Sequence, residues 1–145
     1  MQTSIQAPGG VAVVERLQAA INAHDLDALA SCFTAGFVST QPAHPARNFT
    51  GREHVRQNWT MILAGVPDLK ADLLSSAVTG DSVWAEWRWS GTRRDGQPHE
   101  MRGVTVQKVT GGLISQVNFY MEVVDSGGAD VVSAIRQVTA PGAPA

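Results

Sequence analysis

Few side chains in this sequence can move a proton or hold a metal near neutral pH, and their spacing limits what they could do. The four histidines, His24, His44, His54 and His99, fall in different segments without the spacing of metal ligands. No bound metal is expected. The single cysteine, Cys32, cannot close an intrachain disulfide. Its place between Leu29 and Phe33 reads as a helix's apolar face, and so as a buried, inert thiol. GxxxxGK[ST], HExxH, paired CxxC and GxSxG are all absent from the chain, and no cofactor is expected. Glu86 and Arg88 invite an acid/base reading, but as next-but-one neighbours of opposite sign they fit an exposed ion pair better. Arg93-Arg94-Asp95-Gly96 could suggest an anion site, yet it brackets a turn and reads as a solvated hairpin tip.

The elements that must position these groups follow from periodicity. Val11, Val14, Leu17 and Ile21 recur at three- and four-residue steps, which predicts an amphipathic helix after Pro8-Gly9-Gly10. Asp25 is placed to cap a second helix carrying Leu26, Leu29, Ala30 and Phe33. A short strand is expected at Phe37–Gln41, stopped by Pro42, which has no amide to donate. Thr50 and Glu53 have the spacing of a capping box for a third helix with Val55, Trp59, Ile62, Leu63 and Val66 on its apolar face. Thereafter the period changes to two. Turns at Gly80-Asp81, Asp95-Gly96 and Gly111-Gly112 separate strands at about 69–79, 82–93, 99–110 and 113–124.

Strands joined so tightly pair antiparallel, and their apolar face must be covered by the earlier helices. Alternation puts Val83, Ala85, Trp87 and Trp89 inward with Val117, Phe119 and Met121. Trp84, Glu86 and Arg88 then face outward with Tyr120 and Glu122, a mixed polar and aromatic surface that suits a homodimer interface. The expected architecture is α+β: three N-terminal helices packed on a curved, mainly antiparallel sheet. One domain is expected over 11–138, between a flexible N-terminus at 1–10 and a flexible tail at 139–145, with one more short helix at Val131, Val132 and Ile135.

At 145 residues, 43% hydrophobic and 17% charged, the chain is long enough for one core, and collagen-like and coiled-coil readings fail. A net charge of −2 with no run of Lys or Arg leaves no footprint for nucleic acid. The start of the chain has no basic-then-apolar leader, and no uninterrupted apolar run has membrane length. A cytoplasmic protein without a membrane partner is the expectation.

The order of several strings resembles the SnoaL-like branch of the nuclear transport factor 2-like superfamily over nearly the whole chain. They are Asn22-Ala23-His24-Asp25-Leu26-Asp27, Phe37-Val38 with Pro42, Gly51-Arg52-Glu53-His54-Val55, Gly112-Leu113-Ile114, Tyr120-Met121-Glu122 and Ile135-Arg136-Gln137-Val138. The resemblance implies a cone-shaped fold, written of such proteins as a cone-shaped barrel, with a hydrophobic pocket. It does not fix an activity, because the superfamily includes isomerases, polyketide cyclases, epoxide hydrolases, dehydratases and proteins that only bind. Where relatives similar to ketosteroid isomerase carry a general-base aspartate, this chain has Gln41. Where limonene epoxide hydrolases carry an arginine and two aspartates, it has Trp87, Trp89 and Phe119.

What the resemblance then implies is an apolar, aromatic pocket for a small hydrophobic molecule, polyketide-, steroid- or terpene-like. Trp87, Trp89, Phe119 and Trp59 would form its walls, with Met101 and Met121 nearby, and Gln41 would orient a carbonyl or hydroxyl. His44, in the loop near the expected pocket mouth, is the candidate catalytic acid or base for an isomerase- or cyclase-type proton transfer. The competing expectations are a non-catalytic homodimer that binds a ligand, and an interaction module that uses the outer sheet face for a protein partner.

Overall fold

The computed structural model describes residues 10–142. The expected flexible end at 1–10 lies outside the described residues except for Gly10, and 143–145 of the expected tail lie outside them too. In chain order the main elements run α1 (Gly10–Ala23), α2 (Leu26–Ala30), β1 (Phe33–Thr40), β2 (Phe49–Thr50), α3 (Arg52–Gly65), β3 (Lys70–Thr79), β4 (Ser82–Thr92) and β5 (Pro98–Thr110). They are followed by β6 (Leu113–Val123) and α4 (Val131–Thr139). The six strands form one sheet in the order β2-β1-β6-β5-β4-β3. Strands β3 to β6 are an antiparallel meander, and β1 lies parallel to β6. The sheet is curved but open, with β2 and β3 as its edges, so a closed cone-shaped barrel does not form.

Helix α1 buries Val13, Val14, Leu17, Ala20 and Ile21 against the sheet. Each large apolar side chain so buried contributes about 1.5 to 3 kcal/mol before the cost of ordering it. The corner after α1 is fixed by polar side chains. Asn22 acts as a substitute strand for the edge of the sheet: its Oδ1 accepts from the Ala71 amide at 2.7 Å and its Nδ2 donates to the Ala71 carbonyl at 3.0 Å. His24 adopts a left-handed backbone (φ 53°), and its Nε2 lies 2.8 Å from the Leu69 carbonyl oxygen. Asp25 caps α2 by accepting from the Ala28 amide at 3.0 Å.

The second helix is shorter than its apolar spacing predicts. It stops at Ala30 because the chain is drawn into the sheet, where Ile114 donates its amide to the Cys32 carbonyl and Phe33 pairs with Ile114. Strand β1 therefore starts at Phe33 rather than Phe37 and passes Gly36 through a register shift. Cys32 is buried at this helix-to-strand junction, and burial pushes its thiol pKa up.

The Thr50–Glu53 capping box does not form. Thr50 is extended because it pairs with Val38, so Gly51, at φ 98°, becomes the residue before α3 and donates its amide to the Phe37 carbonyl. Glu86 and Arg88 do not pair either. Two residues apart on one strand, each finds a nearer neighbour across the sheet: Arg88 Nε meets Glu100 at 2.8 Å, and Glu86 accepts from Ser75 Oγ at 3.1 Å. Among the described residues no helix is long and apolar enough to cross a membrane.

Candidate functional site

The alternation in β4 and β6 places side chains as the sequence predicts. Val83, Ala85, Trp87 and Trp89 are buried on the concave face with Val117 and Met121, whereas Trp84 and Tyr120 are about half exposed on the convex face. Helices α1 and α3 cover the concave face without filling it. They leave a cavity of about 170 Å³ beneath Leu17, Val55, Trp59 and Ile62. Cavities of roughly 150 Å³ lined by aliphatic and aromatic side chains hold a benzene ring.

The cavity has an aromatic wall and a polar stripe. Trp89 is the centre of the wall: its ring centroid lies 5.2 Å from Trp59, 6.2 Å from Trp87 and 6.0 Å from Phe119. Edge and tilted contacts of this kind are the arrangement that ring quadrupoles prefer. Trp87 donates Nε1–H to Thr105 Oγ1 at 2.8 Å. The strand partner of Trp87 is Gly103, which has no side chain between the indole and Thr105 two residues along. A Cβ at Gly103 would also collide with the Tyr120 carbonyl and lie 2.7 Å from Met121 Cα, so the close approach of β5 to β6 requires glycine here.

The polar stripe consists of Ser39, Thr105 and Gln107, all buried, with Gln41 and Asn58 beside them. Ser39, Val117, Gln107 and Val83 are consecutive cross-strand partners from β1 to β4, so the stripe runs across the sheet. Gln107 is held by donating Nε2–H to the Val83 carbonyl at 3.2 Å. Thr105 Oγ1, already accepting from Trp87, keeps its own proton to donate. Among the described residues, no side chain lining the cavity carries a titratable group. Trp89 Nε1 is buried and has no hydrogen-bond partner among the described residues, although a buried donor left unpaired costs about 1 to 3 kcal/mol.

Of the residues expected at the pocket, Gln41, Trp59, Trp87, Trp89 and Phe119 line the cavity. Met121 is buried in the core and is not on the cavity wall. Met101 lines a different space, described below. His44 lies outside the cavity, where its Nε2 is 2.9 Å from Glu122 Oε2 and both side chains are substantially exposed. Its loop contains a 3₁₀ turn at Pro45–Arg47, and the Gln41 amide donates across it to Asn48 Oδ1 at 2.7 Å.

Thr105, Gln107, Ser39 and Asn58 were not among the expected lining residues. The same period-two rule that places Trp87 inward also places Thr105 and Gln107 inward on β5. Asn58 interrupts an apolar stripe at 55, 59 and 62, the position where a polar side chain must meet either a partner or a guest.

A second space, an open cleft of about 530 Å³, lies on the other side of Trp89 and Ile62, which both spaces share. Its apolar lining is Val66, Leu69 and Met101 with the exposed Met61, and its polar lining is Arg93, Arg94, Asp95 and His99. Arg93 Nη2 donates to Asp95 Oδ2 at 2.6 Å, and Arg94 Nε donates to the Ala64 carbonyl at the end of α3. The Asp95 carboxyl is held below its usual pKa mainly by the Gln97 amide, with Arg93 adding to the effect. Among the described residues no group of three or more His, Cys, Asp or Glu side chains could hold a metal ion.

An open curved sheet closed over by helices, with an uncharged cavity between them, defines a cavity-bearing α+β domain. The SnoaL-like domain family model matches residues 14–117, and the chain belongs to that family. No curated protein matches the chain. Among solved structures it is similar to IdmH from Streptomyces antibioticus, described as a candidate polyketide cyclase, at 23% identity over 81% of this chain and 93% of that one (TM-score 0.69). It is also similar to RV0760c from Mycobacterium tuberculosis, at 17% identity over 84% of this chain and 100% of that one (TM-score 0.68). A third is a protein with a ketosteroid isomerase-like fold from Catenulispora acidiphila, in complex with trimethylamine, at 21% identity over 74% and 84% of the two chains (TM-score 0.66). At these identities the likeness establishes the fold.

Proposed function

We propose that this protein binds a small, neutral, largely apolar molecule in the cavity between helices and sheet, without catalysing a proton transfer on it. The observation that carries this reading is the lining itself: aromatic and aliphatic walls, a stripe of hydroxyls and amides, and no titratable group. General acid/base chemistry needs a side chain that can exchange a proton within hydrogen-bond reach of the guest. Gln41, at the cavity wall, cannot exchange one, and His44 is engaged with Glu122 outside the cavity.

The guest's polarity follows from the same groups. Thr105, on the cavity wall, has a proton to donate, so a carbonyl, ether or hydroxyl oxygen on the guest suits this site. The likeness to IdmH, a candidate polyketide cyclase, supports a carbonyl-bearing hydrophobic guest. The half-exposed Trp84 and Tyr120 on the convex face support pairing of two copies there.

The test uses indane and 1-indanone, two fused-ring molecules of nearly equal shape that differ by one carbonyl. Titrated against tryptophan fluorescence, 1-indanone should bind roughly tenfold more tightly than indane, the worth of about one hydrogen bond. Val117→Phe, which fills the cavity, should abolish both. Equal binding of the two molecules by wild type, or their retention in Val117→Phe, would refute the reading, as would turnover of a cyclic ketone substrate.

A further inference from the structure

The open cleft outside Trp89 combines features that the cavity does not have. Its lining is apolar at Val66, Leu69, Met101 and the exposed Met61, and its rim carries two guanidinium groups and one carboxylate. On the lining itself the two guanidiniums outnumber the carboxylate, with Asp68 just outside it beside Val66 and Leu69. The β4–β5 turn that supplies the rim is not a free tip. Arg94 is tied to the end of α3 through the Ala64 carbonyl, and Arg93 is tied to Asp95.

Each tie uses one edge of a guanidinium, which has five N–H donors, so donors remain on both. Asp68 stands near the cleft but is not part of its lining, and its Oδ1 is committed to the Thr92 amide at 2.6 Å. At about 530 Å³ the cleft is within the usual range for sites that hold small organic molecules, about 300 to 1,000 Å³. An apolar lining with two guanidiniums on its rim fits a molecule with an apolar body and one anionic end.

We propose that this cleft is a second binding site, separate from the cavity, for an amphipathic organic anion. Its carboxylate or sulfonate would be met by Arg93 and Arg94, and its rings or short chain would lie on Met61, Val66, Leu69 and Met101. Because Trp89 and Ile62 wall both spaces, an anion in the cleft lies against the back of the cavity wall without entering it.

A matched pair of probes tests this on the full chain. 8-Anilinonaphthalene-1-sulfonate and N-phenyl-1-naphthylamine share one ring system and differ by the sulfonate, and both report binding by fluorescence. The sulfonate should bind one site per chain and roughly tenfold more tightly than the neutral amine at low salt, with the preference shrinking as salt rises. The double variant Arg93→Gln/Arg94→Gln should lose that preference and leave the neutral amine's affinity unchanged. Asp95→Asn, which removes the opposing carboxylate and frees Arg93, should raise sulfonate affinity by about threefold. All three changes are at the exposed turn, and thermal unfolding of each variant checks that it folds. Equal affinity for the two probes would overturn the proposal, and so would a sulfonate affinity untouched by the double variant. Saturating 1-indanone should not displace the sulfonate. Failure of 1-indanone to bind while the sulfonate result holds would count against the cavity reading alone, and the reverse pattern against the cleft alone.

Discussion

Thr105→Val tests how the aromatic wall is held. Both side chains are β-branched and of nearly the same shape, so the change chiefly removes the hydroxyl. In the protein Thr105 Oγ1 is 2.8 Å from Trp87 Nε1, with both groups buried. The variant therefore leaves a buried indole N–H without an acceptor, a penalty of about 1 to 3 kcal/mol. Taking about 2 kcal/mol, and about 3 °C of Tm per kcal/mol for a domain of this size, Tm should fall by about 6 °C. In a Trp87→Phe background the donor is already gone, so the same change should cost nothing or slightly stabilise, because it removes a hydroxyl that has lost its partner. Denaturant unfolding of the four proteins gives the coupling energy directly, with an expected value near 2 kcal/mol. A Thr105→Val cost that is the same in both backgrounds, with coupling below about 0.5 kcal/mol, would refute the reasoning, because the wall would then be set by packing alone.

Asn22→Ala should cost about 2 kcal/mol in denaturant unfolding, since both backbone groups of the edge residue Ala71 lose this partner. A loss below about 0.5 kcal/mol would mean that the edge strand does not depend on it. His44→Ala should change stability by less than about 1 kcal/mol, because its hydrogen bond to Glu122 is exposed, and should leave 1-indanone binding unaltered. The Asp68 carboxyl is held below its usual pKa, first by the Thr92 amide. A depressed folded-state pKa gives stability that is present above the unfolded value, near 3.9, and is lost as pH falls below it. Asp68→Asn should accordingly flatten the decline of Tm on acidification, and an unchanged slope would contradict that assignment.

The strings by which the chain resembles its family turn out to hold the scaffold together. Asn22, His24 and Asp25 bind the edge strand, the start of β3 and the first turn of α2, respectively. Strand parity was legible because Val83 to Trp89 and Val117 to Met121 alternate without interruption, and burial follows that alternation. The polar stripe was harder to see. Thr105 and Gln107 look like ordinary surface residues of a half-exposed strand until the helices are placed over them.

Local signals failed where long-range pairing decided the conformation. Thr50 has the sequence of a helix cap but is claimed by Val38, and Phe33 continues a helical stripe but is claimed by Ile114. The path of the loop from Gln41 to Asn48 was not readable either. Which way His44 points depends on Glu122, far along the chain, and no periodicity encodes that pairing.

The measurement closest to the central claim is the pH dependence of 1-indanone binding, followed by calorimetry from about pH 5 to about pH 9. Histidine changes charge within this window, and carboxylates with burial-raised pKa values would do so as well, whereas the probe itself has no titratable group. A cavity lined only by uncharged side chains predicts a Kd that varies by less than about threefold across the range. A sigmoidal or bell-shaped profile with a tenfold change would place a titrating group in contact with the guest and contradict the account.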